Sequence, residues 1–316
     1  MTGHSNKEIL FYYESRQNPN GDPGFENQPR LMPDSTIMVT DVRIKRTIRD
    51  YARDVLGKIL FVDYGNDGNA VTADTRAKQI LGGLKGKDAI SELIQKTYDV
   101  PLFGALLTIR AEKGSGEGDS FKLTGPVQFG LGRSVNKVRI VNPTITGRFV
   151  GSIKGGEDKK QFSTFGKFYS VEYALIKIHG AVSPRNLGKY SEDKKTQSSF
   201  KAAEEKLFEC LWNGTNGLIT RSKFPQRSVL YLDVEYDGAA YNDLPQLVDE
   251  IQEMHDYAQE LNKSPFIFSN LVKTLSSRAS KVKKVRVAYC DDIKDDVQSL
   301  VKDLRAKSIN VEEIRC

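Results

Sequence analysis

The segment spanning residues 9–54 constrains the fold more than any other. Ile9-Leu10-Phe11-Tyr12-Tyr13 is an unbroken apolar run of strand length. It leads to Asn18-Pro19-Asn20-Gly21-Asp22-Pro23, residue types that build tight turns from short side chains and exposed backbone amides. A helix is then expected over about 41–56, capped by Thr40 or Asp41 and stopped by Gly57. Its buried side is expected to be Val42, Ile44, Ile48, Tyr51 and Val55, at helical spacing. Arg43, Lys45, Arg46, Arg49 and Arg53 place five cations within eleven residues of that helix. Such a face has two readings. It is either a solvated surface neutralised by its own Asp41, Asp50 and Asp54, or a surface for a polyanion.

Composition leaves both open. Lys and Arg exceed Asp and Glu by 47 to 41 over 316 residues, with sequence pI ≈ 9.0. No apolar run approaches the ~18 residues of a membrane span, so no membrane association is expected. Met1-Thr-Gly-His-Ser-Asn-Lys lacks a signal-peptide core. Three scattered cysteines, Cys210, Cys290 and Cys316, suit neither a disulfide framework nor a zinc site, and a reducing cytoplasm is expected.

Further along, residues 58–100 read as an insertion holding a strand (Ile59-Leu60-Phe61-Val62), a Gly/Asn/Asp loop and two short helices around Gly82-Gly83. Residues 101–107 read as a strand, 113–119 as a mobile loop, and 122–133 as a second strand whose glycines permit close backbone approach. Residues 144–170 interleave Arg148, Lys154, Lys159, Lys160 and Lys167 with Phe149, Phe162, Phe165, Phe168 and Tyr169, as a protruding basic, aromatic hairpin would. Cations with interleaved rings suit single-stranded nucleic acid, because rings stack on or wedge between bases; a small buried aromatic cluster would give the same pattern. Strands at 171–179 and 229–236, a helix at 201–212 stopping at Gly214, and an amphipathic helix at 244–261 follow. The tail reads as strand (285–290), helix (292–307), strand (309–314). This order suits an α+β domain, most simply a ferredoxin-like or RRM-like palm with insertions.

Enzymatic motifs are poorly represented. Gly86-Lys87, Gly166-Lys167 and Gly188-Lys189 lack the Ser or Thr of a phosphate loop. The loop from Asp63 to Asp74 has Gly65 and Asp74 where a calcium loop needs oxygen ligands and a bidentate Glu. His4, His179 and His255 are dispersed and read as structural. Asp291-Asp292 and Asp295-Asp296 open a helix, where carboxylates favour the dipole, with a metal site as the lesser alternative. No cofactor or metal is expected. Asp22, in the opening turn, is the more interesting acid, because it would lie beside any bound nucleic acid.

Seven short motifs, in order, resemble the CRISPR-associated Cas-seven family of guide-RNA-binding backbone subunits of type I Cascade complexes, nearest its I-B and I-C branches. They are Asn18-Pro-Asn-Gly-Asp-Pro23, Val39-Thr-Asp-Val-Arg-Ile-Lys-Arg46, Leu102-Phe103-Gly104, Leu123-Thr-Gly-Pro-Val-Gln128, Thr164-Phe165-Gly166, His179-Gly180, and Leu211-Trp212 with Thr220-Arg221-Ser222-Lys223. The loop at 110–120 is longer than the family pattern. The resemblance implies one elaborated RRM-like domain over 1–316, with 58–100 as fingers and 144–170 as a thumb that displaces a nucleotide. It further implies a non-enzymatic antiviral ribonucleoprotein subunit. Its partners would be a guide CRISPR RNA, target DNA paired to that guide, further copies in a helical filament, and other Cascade subunits. The RNA-contact set is then Asn18, Asn20, Gly21, Arg43, Lys45, Arg46, Arg49, Gln128, Arg133, Arg148, Phe149, Lys167, Arg221 and Lys223. Two alternatives remain: a target-RNA ribonuclease acting through Asp22, and a general single-stranded RNA-binding protein.

Overall fold

A strand that is apolar at every position, instead of alternating, is one that must be covered on both faces. Strand β1 (Asn6–Ser15) is such a strand from Ile9 to Tyr13, and it runs through the middle of the main sheet. Ile9, Phe11 and Tyr13 enter one core with Ile44, Ile48, Leu211 and Trp212. Leu10 and Tyr12 enter a second core with Leu230, Leu232, Leu271, Leu275, Leu300 and Leu304. The computed structural model describes residues 5–65, 68–82, 87–109, 119–147, 164–251 and 264–315, with backbone alone at 87–88, 108–109, 119–120, 144–147 and 164–167.

In chain order the principal elements are β1, β2 (Thr36–Val39), α1 (Asp41–Asp54), α2 (Ala73–Leu81), α3 (Lys87–Lys96) and α4 (Asp99–Phe103). Next come β3 (Gly104–Ile109), β4 (Asp119–Thr124), β5 (Val127–Phe129), β6 (Gly132–Lys137) and β7 (Ala174–Val182). They are followed by α5 (Lys194–Glu205), α6 (Leu207–Asn216), β8 (Gln226–Tyr236), α7 (Ser269–Ser277), β9 (Val282–Tyr289), α8 (Lys294–Ala306) and β10 (Val311–Glu313). The sheet order is β10-β9-β8-β1-β7-β6-β2, with β5 also on β7. Only the β9–β10 pair is parallel. This is a mixed α+β fold with α1 and α6 on one face and α7 and α8 on the other.

Several expectations are corrected. Residues 101–107 divide between α4 and β3, because Gly104 (φ +80) turns the chain there. A Cβ at Gly104 would lie 2.0 Å from the Leu123 carbonyl oxygen, and one at Gly125 would lie 2.3 Å from Gly104 N. The backbones touch at these two positions, and only glycines fit. The second strand breaks at Gly125-Pro126 into β4 and β5, and β6 follows. Ile59-Leu60-Phe61-Val62 forms no strand. The amides of Phe61 and Val62 instead donate to the wholly buried Asp99 carboxylate at 2.7 and 3.0 Å. α1 buries Ile44 and Ile48, but Val42 and Val55 are exposed at its two ends.

The helix expected at 201–212 is two helices, α5 and α6, and Gly214 lies inside α6. There the missing side chain lets α6 meet α1, since a Cβ would come within 3.1 Å of Thr47 O. Of the described part of the helix expected at 244–261, only Leu244–Leu247 is helical. Asp249–Glu250 then pairs with Phe266–Ile267, and 252–263 lie outside the described residues. The hairpin expected at 144–170 has a paired base, Thr144–Gly147 against Thr164–Lys167, while 148–163 lie outside the described residues. Between α2, α3, β3 and β4 a separate small core holds Phe61, Leu81, Leu93, Leu107 and Phe121. Among the described residues no helix is long and apolar enough to cross a membrane.

Candidate nucleic-acid interface

The turn after β1 is built by its own amides. The Asn18 side chain donates to Asn27 O at 2.5 Å, and its backbone N–H donates to Ser222 O at 3.0 Å. Asn20 Nδ2 reaches Met38 O at 3.4 Å, and Asn20 O accepts from Arg30 N at 3.2 Å. Gly21 passes so close to Asn27 that a Cβ would meet Asn27 O at 2.9 Å. Asn18 and Asn20 are buried, so they shape the turn from inside instead of presenting their amides to solvent. Asp22 accepts from Gly24 N at 3.0 Å and lies 3.5 Å from Arg30. Its carboxylate is held within the turn.

The five α1 cations separate into two classes. Lys45 pairs with Asp41 at 3.1 Å and donates to Gln128 Oε1 at 3.2 Å. Arg46 pairs with Asp50 at 2.8 Å, and Arg53 with Asp50, Asp54 and Asp63 at 3.2, 2.6 and 2.9 Å. These are the local acid pairs that a solvated helix face would carry, and Arg46, Asp50, Arg53 and Asp54 among them line a groove of about 340 Å³ between α1 and residues 217–220. Arg49 is buried, 2.8 Å from Asp99, in a strut that also fixes the amides of Phe61 and Val62. Arg49 therefore braces the fold through Asp99.

Arg43 differs. It is half-buried, its guanidinium donates to Thr47 Oγ1 at 2.9 Å, and no described carboxylate lies within ion-pair distance. Burial pushes its pKa down. Lys223 is the same case on the opposing loop. Its ammonium donates to Asn18 O at 2.8 Å and Ser222 Oγ at 3.4 Å, both neutral, with no ion pair among the described residues. Burial first, and the nearby Arg43 charge second, lower its pKa to about 8. Withdrawing a cation from water without a counter-charge is unfavourable, and the lowered pKa expresses that cost. Asn18 adds an orphan acceptor, for its Oδ1 is buried without a partner.

At the rim, Arg221 lies 5.9 Å from the Phe168 ring centroid and Arg16 lies 5.1 Å from that of Tyr173. Tyr169 donates to Glu26 at 3.0 Å, tying the foot of the hairpin to the turn. Arg16 was missed in the sequence, although its place directly between the apolar strand and the Asn/Gly turn was a usable signal. The ledge so formed brings together Asn18, Asn20, Gly21, Arg43, Arg221 and Lys223. Gln128 and Lys45 meet one another at its side, and Gln128 also donates to Gly125 O at 2.9 Å. Arg133 is drawn elsewhere, to Asp34 and to Thr36 Oγ1. Lys167 lies on the hairpin base opposite Thr144, and Arg148 and Phe149 lie outside the described residues. His179, expected to be structural, contacts the buried Glu8 at 3.1 Å. Among the described residues, no three His, Cys, Asp or Glu are grouped as metal ligands.

A family model described as CRISPR-associated protein Cas7 matches residues 5–270. A Haloferax volcanii protein of that description is 27% identical over 319 aligned residues, covering 91% of this chain and 87% of the relative. A chain of a solved "CRISPR RNA-guided surveillance complex, pre-nicking" superposes with TM-score 0.54 at 13% identity, over 98% of this chain and 96% of that one. At that identity the likeness is one of fold. A chain of another solved "CRISPR RNA-guided surveillance complex" gives TM-score 0.49 at 15% identity, over 90% of this chain and 89% of that one.

Proposed function

The chain belongs to the CRISPR-associated protein Cas7 family, and from that premise we propose that it is a guide-RNA-binding backbone subunit of a type I Cascade surveillance complex. The single observation that carries the binding reading is that Arg43 on α1 and Lys223, bonded to the opening turn through Asn18 O, each lack a described carboxylate within ion-pair distance. Guides differ in sequence, so such a subunit must hold phosphates and leave recognition to base pairing. Cations on a turn and a helix end do this without reading bases.

In this reading β1, β7 and β8, with α1 and α6 packed on one face, form a ferredoxin-like or RRM-like palm. The segment 58–100, with its small separate core, is the finger insertion, and 144–170 is the thumb. Arg148, Phe149 and Lys167 belong to that thumb, whose ring would separate short runs of bases for pairing with target DNA. Copies stacked head to tail along one guide, beside other Cascade subunits in the cytoplasm, complete the assignment; a heterologous interface that does not close gives such a filament. In this reading the subunit binds without cutting, and Asp22 Oδ1 serves the turn by accepting from Gly24 N and lying 3.5 Å from Arg30.

Sequencing the RNA that purifies with the protein tests this. Repeat-derived RNAs of uniform length are expected, and a random RNA population would contradict the reading. Incubating the assembled complex with complementary RNA and magnesium should give no regular cleavage; cleavage abolished by Asp22→Ala would make the protein a ribonuclease.

A further inference from the structure

One edge of the main sheet is β10, three residues long and parallel to β9. Val285, Arg286 and Val287 stand opposite Val311, Glu312 and Glu313. Both strands keep this line past their ends. Ile314 N donates to Val287 O at 2.8 Å, and Cys290 N donates to Val229 O of β8 at 2.9 Å. Three positions on from Val287 and Glu313, the same register sets 290 opposite 316, and the sequence has cysteine at both. Cys316 lies outside the described residues, but the chain leading to it does not. Ile314 and Arg315 line one cleft of about 880 Å³ together with Tyr289 and Cys290. The Cys290 thiol is free and half-buried. Cys210, the other described cysteine, is wholly buried beside the Tyr98 hydroxyl, which donates to it at 3.3 Å.

We propose that Cys290 and Cys316 form a modification site, which a peroxide closes into a disulfide stapling the edge strand to its neighbour. Facing residues of neighbouring strands lie ~4.8 Å apart, within the ~4.4–6.8 Å between Cα atoms that a disulfide spans. Each thiol gives up its hydrogen and the two sulfurs join. The O–O bond of hydrogen peroxide breaks and leaves two waters, so each sulfur is oxidised by one electron and the peroxide is reduced by two. The strand has something to gain from this bond, because its other ties are partly exposed. Arg305 reaches Val311 O and Glu313, both at 3.1 Å, and the Tyr289 hydroxyl donates to Glu313 at 3.2 Å. A cross-link restricts the opened state of such an edge. In a reducing compartment the bond would last only while an oxidant is present. Both cysteines lie past residue 270, where the match to the family ends, and the staple is independent of the RNA-binding reading.

Peptide mapping of the reduced full chain after treatment with hydrogen peroxide tests this, with digestion in the absence of reductant. A fragment joining the peptides of Cys290 and Cys316 from one chain is expected, lighter by two hydrogens than its parts and separated by reductant. Amide exchange at Val311–Glu313 should slow about tenfold or more on oxidation. Cys316→Ser given the same peroxide should show no such slowing. A bond to Cys210 or between two chains, peroxide treatment that leaves the two sulfurs unlinked, or exchange at β10 unchanged by the link would each overturn the proposal. The mapping uses the wild-type protein and depends on no variant's folding.

Discussion

The two ends of α1 carry the same kinds of side chain and do different things. From Arg46 onward each arginine has a carboxylate: Asp50 for Arg46, Asp99 for Arg49, and Asp50, Asp54 and Asp63 for Arg53. At the first turn, Arg43 has only a hydroxyl, and Lys223, on the loop before β8, only neutral oxygens. A count of cations makes the whole helix look like a polyanion surface. The counter-charges are arranged unevenly: among the five, Arg43 alone has no described carboxylate within ion-pair distance, and the proposed RNA contact is placed there.

Substitutions at the two ends should separate accordingly. The largest effect belongs to the structural half. Asp99→Ala leaves Arg49 buried and unpaired and strips two backbone amides of their acceptor. A loss of about 3–5 kcal/mol in denaturant unfolding is expected, and an unchanged midpoint would break the comparison from that side. Next comes Arg43→Ala, which should weaken RNA binding by about 1.5–3 kcal/mol, the usual worth of a charged hydrogen bond, while barely altering the unfolding midpoint. Affinity is measured at fixed salt by fluorescence anisotropy.

Smaller is the effect of pH on the free protein. Lys223 has a folded pKa of about 8, below its ordinary value of 10.5, so the folded state binds fewer protons between those limits. Stability linked to this group rises with pH across that window. Below it the full cost of the buried charge is present, and above it the cost is gone. For a half-buried ammonium, screened in part by solvent, the gain is about 1–2 kcal/mol. Unfolding of the wild-type protein and Lys223→Met at pH 8 and pH 10.5 should differ by that amount in their pH dependence; parallel curves would remove Lys223 from the account. Smallest is Arg46→Ala, which breaks a partly exposed pair and should shift stability by under about 1 kcal/mol.

Legibility in the sequence followed locality. The span of α1, its Thr40 cap, the central strands, the foot of the hairpin and the strand–helix–strand tail all rest on periodicity or capping within a few residues, and each lies near its expected place. The break between α4 and β3 was hidden because an apolar run suits either element. Its cause is the touching backbones of Gly104 and Gly125, which no local pattern announces. The roles of the cations were hidden for a similar reason. Arg49 meets an acid 50 residues away, and Lys223 meets a carbonyl 205 residues away. Residue type placed both in the candidate set, but only the packed chain shows that one is neutralised and the other is not.

The most direct test sets the two ends of α1 against each other in one assay. RNA affinity is measured over a range of salt for Arg43→Ala/Lys223→Ala and for Arg46→Ala/Arg53→Ala, each against the wild-type protein. The slope of log affinity against log salt should fall by about one unit per lost phosphate contact in the first variant and stay within error of the wild-type value in the second. The reverse pattern, or equal loss in both, would contradict the claim that RNA is held where the carboxylates are missing.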